Sequence, residues 1–349
     1  MSDTVPKFHI CVDSPWNPIS YIKNNLATVE SAPFDGCVID LTVNPSLTDG
    51  RAYLGPNCWG TKTYQYDLEL AQSVSDALAT PFSKFQHNLL RMNVSPGTAD
   101  WGNDNHRRTV VNNFAMAARV CQQAGFRGIW FDPEQYNNAK VWITSAFGNK
   151  YSLTTLKQLA YQWGKEIIEA CCKEKSNIVF MYLFGYYSAN TSVPPPYNRD
   201  PTTGGNYELL PSFLDGLYEN AHPLAELIHG SEDAYGFTAS SSFAQWAPVY
   251  RKPSVSRTSK AKISLAWPVY TDYQQPVFDY TTDTNNTRPA RTIRDLFILA
   301  TQYSDRYVWS YQNHPVWLGN TPPGVNEIPT VYVNAVKSAR IALGMNRDA

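Results

Sequence analysis

Short apolar runs alternate with helix-period patterns along the whole chain. The runs Phe8–Val12, Cys37–Val43, Asn88–Val94, Gly128–Phe131, Ile178–Gly185, Leu227–Gly230, Lys262–Trp267 and Tyr307–Tyr311 predict eight strands. Continuous rather than alternating apolar runs belong to strands buried on both faces, as in a parallel sheet. Seven of the runs are followed by a clear helical pattern, and the stretch around Ile19–Val29 after the first is the weakest. The helix after the third run carries Val110, Val111, Phe114, Ala117, Ala118 and Cys121 at helical spacing, with Gly125 as its C-terminal cap. The next opens on Ser152 as N-cap and carries Leu153, Leu156, Leu159, Ala160, Trp163 and Ile167 as one stripe. Eight strand–helix units predict an α/β protein, a single (β/α)8 (TIM) barrel domain over 1–349.

Loop lengths assign a face to that barrel. Helix-to-strand connections are short: Gly125–Arg127, Lys175–Asn177, His222–Ala225 and Ser304–Arg306. Strand-to-helix connections are long and rich in turn residues, as in Asn44–Tyr66, Tyr187–Asn206, Thr271–Pro289 and Gln312–Asn326. Functional groups of this fold collect where strands end, so the long loops mark the functional face.

Composition narrows the partners. A formal net charge of −1 provides no basic field for nucleic acid or anionic lipid, and no run is long and apolar enough to span a membrane. Six cysteines without a C-x-x-C pair favour a reducing compartment. With no visible signal peptide, the cytoplasm is the expected location, although a removed leader would leave the same N-terminus. Aromatic residues are numerous, with 10 Trp, 22 Tyr and 15 Phe. Most serve a large core; those at strand ends suit stacking on sugar rings.

The sharpest local signal is Gly128-Ile-Trp-Phe-Asp132-Pro-Glu134-Gln-Tyr136 at the fourth strand end. Strand alternation continued through Pro133 puts Trp130, Asp132 and Glu134 on one side. The same residues also suit a helix start, with Asp132 as cap and Pro133 in the first turn. The sixth strand ends in His229-Gly-Ser-Glu232-Asp233-Ala-Tyr235, where alternation turns only one of the two acids inward. Two strand ends bearing acids on one face suit glycosidic-bond hydrolysis, which needs one protonated and one ionised carboxyl across the scissile bond. Glu134 and Glu232 form the expected pair, with Asp132 and Asp233 as neighbours that tune or replace them.

Supporting groups are expected at the other strand ends. Asp13 and Trp16 follow the first strand, Asp40 and Asn44 the second, and Arg91 and Asn93 share a face of the third. A barrel-interior arginine needs a partner, so Arg91 is expected to hold Asp132 or another acid. Trp59, Tyr136, Tyr186, Trp267, Tyr270, Trp309, Tyr311 and His314 complete the candidate sugar-binding set. No H-x-H, H-E-x-x-H, G-x-S-x-G or phosphate-loop motif occurs, so neither metal nor cofactor is expected.

With these residues in place, the chain resembles the (β/α)8 glycoside hydrolases as a broad class. The Asp132-x-Glu134 ending looks like the end of the chitinase-type D-x-x-D-x-D-x-E signature, but Arg127 and Trp130 stand where that pattern has Asp. The seventh strand, Ile263–Tyr270, carries no Glu, unlike barrels with a nucleophile there. Pairing of strands four and six looks more like α-galactosidase-type barrels, and implies a retaining glycosidase acting on an oligo- or polysaccharide. The rival readings are a sugar-binding barrel without catalysis and a non-hydrolytic barrel enzyme, an isomerase or lyase.

Overall fold

The structure is a computed structural model that describes residues 6–13, 17–47, 50–95, 99–135, 140–189, 207–252, 263–321 and 326–345. Eight parallel strand segments run in chain order around a ring. They are Phe8–Val12, Gly36–Asp40, Leu89–Asn93, Gly128–Asp132, Val179–Tyr182, Glu226–His229, a split seventh strand and Tyr307–Tyr311. The seventh strand comes in two pieces: Ser264–Leu265 pairs with strand six, and Trp267–Tyr270 pairs with strand eight. Ala266 joins them and donates its N–H to His229 O at 2.8 Å, so the ring closes through this strand. Strand one pairs with strand eight on its other side. The architecture is the α/β TIM barrel that the periodicity predicts.

The helices follow from the apolar stripes. Helix α4, Asp104–Gln123, is capped by the Asn103 side chain and ends before Gly125, whose φ of 73° suits a glycine after a C-terminus. Helix α5, Leu153–Glu174, starts at Ser152, whose hydroxyl accepts the Thr155 N–H. The weak segment after strand one is two short helices, α1 (Ile19–Asn24) and α2 (Leu26–Ser31), interrupted at Asn25. Outward-facing Phe131 and Phe180 pack against Phe114 of α4. Inside, Trp130 and Trp309 meet edge to face across the barrel at 6.0 Å. All six cysteines are free thiols, five of them buried, and no helix among the described residues is long and apolar enough to cross a membrane.

Close backbone contact sets one strict requirement. A Cβ on Gly128, the first residue of strand four, would lie 1.9 Å from the Val179 carbonyl oxygen of strand five. Neither backbone can yield without breaking the ladder that places the strand-four acids. Gly128→Ala is therefore expected to destabilise by about 3 kcal/mol or more. Urea unfolding checks this, and an unchanged midpoint would contradict the strand-four register.

Candidate active site

Register places the first acid. Asn93 is the in-register neighbour of Asp132 on adjacent strands, and its Nδ2 donates to Asp132 Oδ2 at 3.0 Å. Arg91 Nε donates to Asn93 Oδ1 at 2.9 Å, while Arg91 Nη1 pairs with Asp40 Oδ2 at 2.9 Å. The interior arginine thus pairs with Asp40 and reaches Asp132 through Asn93. The other Asp132 oxygen, Oδ1, accepts the Glu134 N–H at 2.8 Å, a side-chain turn that carries the chain over Pro133. Residues 133–135 are not helical, so the helix-start alternative does not hold there. Trp142 braces the segment: its Nε1 donates to Pro133 O at 2.7 Å and its N–H to Gln135 Oε1 at 2.8 Å.

The sixth-strand acids arrive differently from the expected alternation. The strand stops at His229, Ser231 adopts a left-handed φ of 56°, and Glu232–Gly236 forms a 3-10 turn. Turn geometry replaces the two-residue period, so both acids stay within electrostatic reach of Glu134. One carboxylate oxygen from each of Asp132, Glu134 and Glu232 lies within 4.8 Å of the others. Asp233 is fully buried, and the Glu134 charge adds to burial in holding its carboxyl well above the usual range. The Tyr235 hydroxyl donates to Glu232 Oε1 at 2.9 Å.

Carboxylates this close cannot all be ionised. Burial, and then the Glu134 charge, pushes Asp132 up to about 7. An unfolded chain gives up that proton near ~4. Between those values the folded chain binds more protons than the unfolded one, so stability falls as pH rises through this window and this contribution levels off above it. Burial lifts Asp13 to about 6, which acts in the same direction. Buried His9 and His229, pushed down to about 3, act in the opposite direction below their unfolded value. The cluster therefore shows in a comparison: between pH 5 and pH 8 the wild type should lose more, or gain less, urea midpoint than Asp132→Asn. An identical pH response in wild type and variant would contradict the protonated cluster.

Of the aromatic candidates, three gather beside this cluster. Trp309 is buried in the barrel, donates Nε1–H to Gly230 O at 2.8 Å and packs 5.5 Å from Tyr235. Half-buried Tyr270 and Tyr311 flank Tyr235 at 4.7 and 5.8 Å, and Asn313 ties their hydroxyls together. His314 Nδ1 is hydrogen-bonded to buried Asp272 at 2.6 Å, leaving the imidazole partly exposed near the eighth strand end.

Other expectations require correction. Trp59 is no sugar platform, because it is fully buried and touches Trp101, Phe114, Phe131, Trp142, Trp163 and Phe213. Trp267 faces outward onto Phe243 of α7 (Ser240–Tyr250), and Tyr186 is buried with its hydroxyl on Asp215. Asp13 is a buried pin whose carboxylate accepts from Asn17, Gln312 and the Trp317 and Leu318 N–H groups. Asn44 is exposed in a turn and accepts from Ser46, and Asp40 is occupied by Arg91 and the Gly55 N–H. Trp16 and Tyr136 lie outside the described residues.

Missed by the sequence reading were Trp142, Tyr235 and Asn313. Tyr235 alone left a usable signal, three residues after Glu232, the spacing that one 3-10 turn brings together.

The fold defines the chain as a (β/α)8 barrel with an acid cluster at its strand ends. Among solved structures it is similar to GH5_18 from Streptomyces cattleya in complex with GlcNAc, at 11% identity over 99% of this chain and 82% of that one, with a TM-score of 0.50. It is also similar to a glycoside hydrolase family 5 enzyme from Prevotella bryantii B14 (8% identity, 91% and 85% covered, TM-score 0.47) and to a 3-keto-D-glucoside 4-epimerase from E. coli (10%, 95% and 98%, 0.43). At these identities the likeness is one of fold. No protein-family model and no curated protein matches the chain.

Proposed function

We propose that the protein hydrolyses a glycosidic bond in an oligo- or polysaccharide, with retention of anomeric configuration. The observation that carries this reading is the meeting of Asp132, Glu134 and Glu232 oxygens within 4.8 Å at the ends of strands four and six. Retaining enzymes hold their two carboxyl groups about 5–5.5 Å apart, whereas inversion needs room for a water between them. The short spacing supports retention.

Roles follow from the neighbours. A hydroxyl donated to a carboxylate favours its ionised form, which suits Glu232, held by Tyr235, as nucleophile. Glu232 would attack the anomeric carbon as the bond to the leaving oxygen breaks, and Glu134 would give that oxygen its proton. Water, deprotonated by Glu134, would then displace Glu232 and regenerate both groups. Burial, the larger cause at both positions, favours the neutral forms of Asp132 and Asp233 and so limits negative charge around the donor while Glu134 carries its proton. Tyr270 and Tyr311 would stack on the sugar. Six free thiols favour a reducing compartment, and we place the protein in the cytoplasm.

Incubation with a glycan panel in ¹⁸O-water tests the proposal. New reducing ends carrying the label are expected. Binding without new ends would indicate a sugar-binding barrel, and products of unchanged total mass without label an isomerase or lyase.

A further inference from the structure

Arg288 is 3% exposed, yet no carboxylate lies within ion-pair distance of it among the described residues. Its terminal nitrogens donate instead to main-chain carbonyls, Nη2 to Tyr235 O and Nη1 to Tyr270 O. Its Cζ lies 4.8 Å from the Tyr273 ring centroid. The residue is itself anchored, because the Tyr332 hydroxyl donates to Arg288 O at 3.0 Å. Burial pushes the guanidinium down to about 10, with the Asp272 charge opposing from beyond ion-pair distance, and burying a cation without a contacting counter-ion is costly. Beside the Tyr273 ring and the more distant Asp272 charge, what offsets that cost is a fork joining the turn after strand six to the end of strand seven. Tyr235 stands at one prong, with its ring 4.7 Å from that of Tyr270 at the other.

We propose that Arg288 is a positioning residue for the strand-six acid: by holding the Tyr235 and Tyr270 carbonyls in one fork, it keeps the Tyr235 hydroxyl on Glu232. The proposal rests on Glu232 as a reacting carboxylate. Arg288 touches neither Glu232 nor the sugar, and it acts through Tyr235. Lysine would keep the charge but not the planar two-pronged geometry.

Arg288→Lys and Tyr235→Phe, singly and combined in the full chain, provide the test. On a glycan that the wild type cleaves, Arg288→Lys should lower kcat by about 10²-fold, the scale of a misplaced catalytic group, with KM unchanged. The double variant should be no slower than Tyr235→Phe, since both act on one contact. Losses that multiply, or a loss confined to KM, would overturn the proposal. Crystal structures provide a readout that needs no turnover: in Arg288→Lys the Tyr235 hydroxyl should leave hydrogen-bonding distance of Glu232. A hydroxyl still seated there would overturn the proposal even if every glycan is cleaved. Failure to cleave any glycan would count against the hydrolase reading while leaving the crystallographic result decisive. If the lysine variant does not fold, Arg288→Gln takes its place under the same criteria.

Discussion

Glu134→Gln is expected to lower turnover by about 10²–10⁴-fold on a glycan with a poor leaving group, the usual worth of general acid–base assistance. The substitution preserves side-chain length and leaves the Glu134 N–H on Asp132, so the fold and the turn over Pro133 should survive. Loss of the donor matters less when the leaving group departs without a proton. An aryl glycoside with an acidic phenol should therefore be much less affected in its first step, and added azide should restore turnover. Steady-state kinetics on the two substrate types checks this. Equal activity of variant and wild type on both would remove Glu134 from the chemistry and leave a purely structural strand end.

Glu232→Ala should be more severe, with a loss on the order of 10⁵-fold or more, because removing a nucleophile removes the covalent route itself. Azide can then attack the vacated face directly. The expected product is a glycosyl azide of the opposite anomeric configuration to the substrate, whereas the Glu134 variant should form one of the same configuration. The stereochemistry of the two azides separates the roles independently of how far each rate falls. If the configurations are exchanged, Glu134 is the nucleophile and Glu232 the donor.

Much of the barrel was legible because it rests on periodicity. Strands one and eight fall where the apolar runs lie, and strand four runs one residue further, to Asp132, because Asn93 pairs with it in register. The apolar run Lys262–Trp267 stops three residues before the seventh strand ends at Tyr270. Pro268 cannot donate to a ladder, yet its neighbours still pair with strand eight after the one-residue break at Ala266. In the site, acids at two strand ends were visible as residue types at predicted positions. Their joint orientation was not, since it depends on Ser231 adopting a left-handed conformation uncommon outside glycine. Aromatic count proved a poor guide to platforms. Trp59, in a long loop, folds back under the helices and becomes core, while Tyr270 and Tyr311 at strand ends stay part-exposed. Arg288 left no sequence signal, because its partners are carbonyls, which every residue carries.

Hydrolysis by closely spaced carboxyls at the ends of strands four and six can be followed by ¹H NMR of the cleavage reaction on a glycan of known anomeric configuration. The first-formed reducing end should carry the anomeric configuration of the bond that was cut, before mutarotation, and its formation should be lost with Glu134→Gln when the leaving group is poor. A first-formed product of inverted configuration, or cleavage that persists undiminished in that variant, would rule out a retaining mechanism on these carboxyls.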